Sequence, residues 1–115
     1  MASPITTHVL DTSRGRPAAG VPVALAAQAA NGEWQTLAEA TTNADGRVSD
    51  LLSDKSSLSK GVYRLTFDTS VYFQSLGVNS FYPYVTIVFE IHDPAQHYHV
   101  PLLLSPFGYS TYRGS

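Results

Sequence analysis

Cysteine is absent from the 115 residues. That excludes disulfides, thiolate metal sites and a cysteine nucleophile. Charge is also scarce: Asp, Glu, Lys and Arg together make up 14% of the chain, against about a quarter in an ordinary domain. The formal net charge of −2 is too small to draw the protein to nucleic acid or to an anionic membrane. No apolar run approaches the roughly 20 residues that a membrane-spanning helix needs. Met1 to Leu10 has neither the basic segment nor the long apolar stretch of a signal peptide. Arg113-Gly114-Ser115 is not the Ser-Lys-Leu peroxisomal address. The expected compartment is therefore the cytoplasm. There is no G-x-S-x-G elbow and no phosphate-binding Gly-rich loop.

The apolar share is 43%, close to the globular average, which argues against disorder. A chain of this length makes one domain, spanning 1–115. Such a domain buries only about two-thirds of the surface that its unfolded chain exposes. A small core and a surface short of charge both point to association with further copies.

The dominant pattern is alternation broken by turn residues. Ile5, Thr7 and Val9 share one face of a first strand, and Thr6, His8 and Leu10 share the other. Asp11 to Gly20 reads as a long connection. Val21, Val23, Leu25 and Ala27 alternate next, Asn31-Gly32 signals a hairpin, and Trp34 to Thr42 returns. Asn43-Ala44-Asp45-Gly46 is a further turn, and Arg47-Val48 opens a short strand. Ser49 to Lys60 is polar and loop-like. Val62 to Phe67 alternates again. Asp68-Thr69-Ser70 caps a short helix over Ser70 to Leu76 that Gly77 stops. Val85, Ile87, Phe89 and Ile91 form the cleanest apolar face. Tyr98 to Leu104 and Tyr109 to Tyr112 follow, joined by a turn at Ser105 to Gly108. About seven to eight short strands, one short helix and regular turn signals predict an all-β sandwich of two sheets.

Histidine carries the chemistry. Three of the four imidazoles crowd together in sequence at His92, His97 and His99. His97 and His99 are two apart, so both face one side, and their face continues with Pro101 and Leu103. The other face, Tyr98, Val100, Leu102 and Leu104, is the better core face. His8 likewise points away from Ile5 and Val9. Two strands thus each present an imidazole off the core. Read alone, such a residue is a solvated histidine as readily as a functional one, and Arg47 after Asp45-Gly46 reads as an exposed arginine at a hairpin edge. The Asp and Glu residues fall in turns and on exposed strand positions, with no acid pair among them.

Thr7-His8-Val9-Leu10-Asp11 with Gly15-Arg16-Pro17-Ala18, the turn Thr42 to Arg47, and the run His97 to Pro106 continuing to Tyr109-Ser110-Thr111-Tyr112-Arg113-Gly114-Ser115 together resemble the transthyretin-like superfamily. The histidines and the Tyr-Arg-Gly-Ser end are similar to its 5-hydroxyisourate hydrolase branch and are not shared by transthyretin itself. The resemblance covers nearly the whole chain and is weakest from Ser49 to Lys60. It implies a transthyretin-like sandwich, a homotetramer built as a dimer of dimers, and active sites where two dimers meet. It implies no cofactor and no metal. The substrate would be 5-hydroxyisourate, whose lactam ring is opened in urate degradation.

By the same resemblance His8, Arg47 and His99 are the catalytic set, and Tyr112, Arg113, Gly114 and Ser115 bind substrate or hold the tail. His99 would orient or deprotonate water, and His8 would serve the leaving nitrogen, although the two roles can be exchanged. Arg47 would grip the oxygen-rich ring and the oxyanion through its fork of donors. Arg113 alternates away from Tyr112, which suits an anchor. Two rival readings stand beside this one. The first is a non-enzymatic carrier of an aromatic ligand in the same channel. The second is a metal-binding module of His8, His97 and His99.

Overall fold

A computed structural model describes residues 3–52 and 58–115. Among the described residues nine strands and one helix run in chain order: β1 Ile5–Asp11, β2 Arg16–Pro17, β3 Pro22–Gln28, β4 Trp34–Thr41, β5 Arg47–Val48, β6 Gly61–Phe67, α1 Thr69–Ser75, β7 Val85–Ile91, β8 Tyr98–Ser105 and β9 Gly108–Thr111. One sheet has the order β2-β1-β8-β9, with β5 also on β1; the other has the order β4-β3-β6-β7. The predicted two-sheet sandwich with one short helix is the fold observed. The additional strand is β2, two residues inside the segment read as a connection; it pairs through Leu10↔Pro17 and Asp11↔Arg16.

Parity along β1 and β8 is as the alternation predicts. Ile5, Val9, Val100, Leu102 and Leu104 are buried in a core completed by Val23, Leu25, Leu65, Phe67, Val85 and Ile91 of the second sheet. Thr7 faces inward too, and its hydroxyl donates to the Val100 carbonyl at 2.6 Å. The β1 and β8 strands pair in parallel, with Thr6 beside His99 and His8 beside Pro101. The opposite edge of β1 meets β5, where His8 pairs with Arg47.

Gly46 fixes that edge. Its φ is +73°, and a Cβ there would collide with the Val9 carbonyl oxygen; glycine is the residue that meets both demands. Its own carbonyl accepts from Val9 N–H at 2.7 Å. Asn43 closes the turn, its Oδ1 accepting from the N–H groups of Asp45 and Arg47 at 2.9 and 3.0 Å. The turn residues therefore dock the Arg47 backbone against β1 rather than leaving it at a free hairpin.

Three expectations need correction. Asp11 is not at an exposed turn: it is fully buried. The loop read as polar from Ser49 to Lys60 contributes Leu51, Leu52 and Leu58 to the core, and its middle, 53–57, lies outside the described residues. Asp68 occupies the N-cap of α1 but makes no capping hydrogen bond through its side chain; the Ser70 hydroxyl instead donates to the Pro83 carbonyl. Among the described residues no helix is long and apolar enough to cross a membrane.

Candidate active site

The outward face of the first sheet gathers three of the four histidines. Thr6 and His8 stand on β1, His99 on β8, and Arg47 at the start of β5, each placed by strand parity and register. His97 lies one residue before β8. Thr6, Arg47, Val48, Ser49, His97, His99 and Ser115 line an open hollow of about 260 Å³. His8 flanks it, close enough to Arg47 for the guanidinium to act on its ring and close enough to His99 to act on that ring.

The tail folds back onto β8. Gly114 bridges to His99, its N–H donating to the His99 carbonyl at 2.8 Å. A Cβ on residue 114 would lie 2.6 Å from His99 Cδ2, so the bare glycine backbone lets the imidazole lie against it. Arg113 holds the tail: its Nη2 donates to Gln96 Oε1 at 2.9 Å and to the His97 carbonyl at 3.3 Å. Its guanidinium also stacks over the Tyr98 ring, 4.4 Å from the centroid.

Burial lowers the pKa of His8, and the Arg47 guanidinium lowers it further. The same two causes, in the same order, lower that of His99, with the neighbouring His8 and His97 adding to the effect. Both rings are therefore neutral at pH 7 and able to accept a proton, the state a base requires. Arg47 forms no ion pair among the described residues, and its guanidinium carries five N–H donors.

Of the residues singled out from sequence, His8, Arg47, His99, Gly114 and Ser115 come together here. Tyr112 and Arg113 line a different groove, about 500 Å³, between β7 and β9. His92 does not join the other histidines: it sits past the end of β7 in the second sheet, its side chain 80% exposed and 4.0 Å from Glu90. Sequence proximity to His97 was misleading because the turn at 93–97 carries the chain from one sheet to the other. Thr6, which the reading of chemistry passed over, touches both His97 and His99. Its signal was available in parity, since it shares the outward face with His8. Among the described residues no group of three His, Asp or Glu side chains is arranged to hold a metal.

Known structures of this shape include both a hydrolase and a transthyretin in complex with thyroxine. The structure of Klebsiella pneumoniae 5-hydroxyisourate hydrolase is 39% identical, with a TM-score of 0.84 over 100% of both chains. Sea bream transthyretin in complex with thyroxine is 34% identical, with a TM-score of 0.92 over 97% of this chain and 95% of that one. Backbone similarity thus does not separate the two branches, and the side chains on the outward face must. In sequence the chain is 50% identical to the 5-hydroxyisourate hydrolase of Mus musculus, over 99% of this chain and 97% of the mouse protein. With residues 5–114 matching the profile of the HIUase/Transthyretin family as well, the chain belongs to that family.

Proposed function

We propose that the protein hydrolyses 5-hydroxyisourate to 2-oxo-4-hydroxy-4-carboxy-5-ureidoimidazoline in the degradation of urate. One observation carries the reading: the His99 imidazole and the Arg47 guanidinium, which has no ion-pair partner among the described residues, line one open hollow on the outward face of the first sheet, with the His8 imidazole beside it. Binding an apolar aromatic ligand calls for none of these groups. Hydrolysis of a lactam calls for a base, a donor to the oxyanion and a proton for the leaving nitrogen.

His99 takes a proton from water as the water oxygen bonds to the ring carbonyl carbon. Arg47 receives the negative charge that develops on the carbonyl oxygen. The carbon–nitrogen bond then breaks as the proton taken up by His99 is relayed through His8 to the departing nitrogen, and the acid that forms ionises to a carboxylate, releasing its proton to solvent. Ser115, on the rim of the hollow, hydrogen-bonds the ring. Gly114 supports the His99 ring, and Arg113 fixes the tail. Tyr112 lines the neighbouring groove, beside the tail that reaches the hollow.

The working unit is a homotetramer. The edges of β7 and β9 that end the two sheets are flanked by exposed Val88, Phe107, Tyr109 and Tyr112, a patch suited to pairing across a two-fold axis. A second contact over the outward face of β1 and β8 would close the hollow and exclude water. Sedimentation velocity should give a mass of four chains.

The test of activity is direct. 5-Hydroxyisourate is generated from urate in a cuvette, and its decay is followed spectroscopically with and without protein. Acceleration by the natural chain, reduced about 10²–10⁴-fold in His99→Ala, supports the reading. A folded tetramer that leaves the decay rate unchanged returns the chain to the carrier reading.

A further inference from the structure

One hydroxyl stands between two imidazoles. Thr6 Oγ1 lies 2.8 Å from His99 Nδ1 and 3.0 Å from His97 Nε2. A threonine hydroxyl owns one proton, so it donates to one of these nitrogens and must accept from the other. Only two arrangements satisfy both bonds. In one, His97 Nε2–H donates to Thr6 and Thr6 donates to His99, whose own proton then sits on Nε2. In the other, His99 Nδ1–H donates to Thr6 and Thr6 donates to His97, which leaves His99 Nε2 bare.

The ring's orientation is held from both sides. Nδ1 is tied to Thr6, and Cδ2 lies against the backbone of Gly114. A ring flip would set a carbon against the Thr6 hydroxyl and forfeit the bond. Nε2 is the ring nitrogen left without a partner among the described residues. The groups that face this ring are Thr6 and His8 from β1, Arg47 from β5, His97 from the segment before β8, and Gly114 and Ser115 from the tail. The one fixed charge among those side chains is the Arg47 cation. A cation beside the hollow favours a nitrogen lone pair turned toward it over an N–H dipole.

We propose that Thr6 and His97 are positioning residues for the hydrolysis: the Thr6 hydroxyl, donating to His97, keeps the His99 proton on Nδ1 and Nε2 bare toward the hollow. This rests on the reading of His99 as the base. When water gives a proton to Nε2, the ring becomes an imidazolium whose Nδ1–H still donates to Thr6, so the bridge strengthens as charge develops. The same Nε2 proton can leave again, toward the product or toward His8, and no other proton need move. Arg113 belongs to the device as well, because its bond to the His97 carbonyl fixes the outer end of the bridge.

Imidazole ¹⁵N shifts of the unliganded protein at neutral pH read the tautomer directly. The expected spectrum has a protonated Nδ1 and an unprotonated Nε2 on His99. In Thr6→Val the proton should redistribute to Nε2, with kcat lowered roughly tenfold, the rate equivalent of one net hydrogen bond, and KM little changed. Thr6→Ser should restore both tautomer and rate. Thr6 is largely buried, so His97→Phe supplies a second route at an exposed position, and it should move the tautomer in the same direction. His99 already protonated on Nε2 in the natural protein overturns the proposal. So does a His99 tautomer that neither Thr6→Val nor His97→Phe disturbs. A spectrum that behaves as expected in a protein that hydrolyses nothing upholds the tautomer assignment and sinks the activity instead.

Discussion

Two polar clusters hang from β1 and are built in opposite ways. At the inward end, the Asp11 carboxylate is completely buried and both its oxygens are bonded. Oδ2 accepts from the Tyr72 hydroxyl at 2.6 Å, and Oδ1 accepts from Ser13 Oγ at 2.6 Å and from the N–H groups of Ser13 and Arg14 at 3.0 and 3.2 Å. On the outward face, Thr6, His8, His99 and Arg47 leave an imidazole nitrogen and a whole guanidinium without partners among the described residues. The lesson concerns satisfaction rather than polarity. A buried group with both oxygens bonded is part of the scaffold, and a set of half-occupied groups around a hollow is equipped to act on something else.

Removing each cluster's central residue should give opposite phenotypes, and these are the largest effects expected. Asp11→Ala strands the Tyr72 hydroxyl and two backbone N–H groups. It should cost about 3 kcal/mol of stability, seen in urea unfolding, while turnover per folded molecule changes little. His99→Ala should do the reverse. Loss of activity with unchanged stability in the Asp11 variant would erase the distinction.

The Asp11 cluster also has a pH signature. Burial pushes its carboxyl up, but the bonds from Ser13, Tyr72 and the Arg14 and Ser13 N–H groups outweigh this and hold the pKa below its ordinary value. The unfolded chain then binds the proton first as pH falls. The contribution to stability is complete above about pH 3.9 and disappears as pH drops through the lower folded value. Asp11→Asn should flatten that limb of the stability curve.

Gly46→Ala links the two clusters, because it forces a Cβ against the Val9 carbonyl at positive φ. We expect a loss of about 1–3 kcal/mol together with reduced turnover, since the displaced turn carries Arg47. A smaller effect follows from Arg47→Gln. With the cation gone, the pKa values of His8 and His99 should both rise toward about 6.5, an upward shift visible in an NMR titration; titration at the same pH as in the natural protein would remove Arg47 from the site's electrostatics. The smallest expected change is in folding on deletion of Gly114 and Ser115, which should lower activity and leave the melting temperature nearly in place.

Much of this was legible before any coordinates. Period-two alternation placed His8, His97 and His99 off the core, because the apolar set on each strand was unambiguous. The Asn43 to Gly46 turn and the family signature marked Arg47. Parity, however, says which face a side chain takes and not which strand lies beside it. The β1–β8 pairing joins segments about 90 residues apart, and nothing local to either announces it. The Thr6 bridge and the separation of His92 from its neighbours in sequence therefore needed the fold. Asp11 went unread for a related reason: its main partner outside the local turn, Tyr72, is 61 positions away. Leu51, Leu52 and Leu58 were hidden by the polar residues between them.

The parallel seam between β1 and β8 also sets an order of events during synthesis. A ribosome adds about 5–20 residues each second, so β1 emerges several seconds before β8 exists to pair with it. Until then its Thr6 and His8 face no second imidazole. Every step of folding that precedes the closing of this seam takes place in a chemically inert chain, and turnover, once it appears, certifies that the two ends of the polypeptide have met.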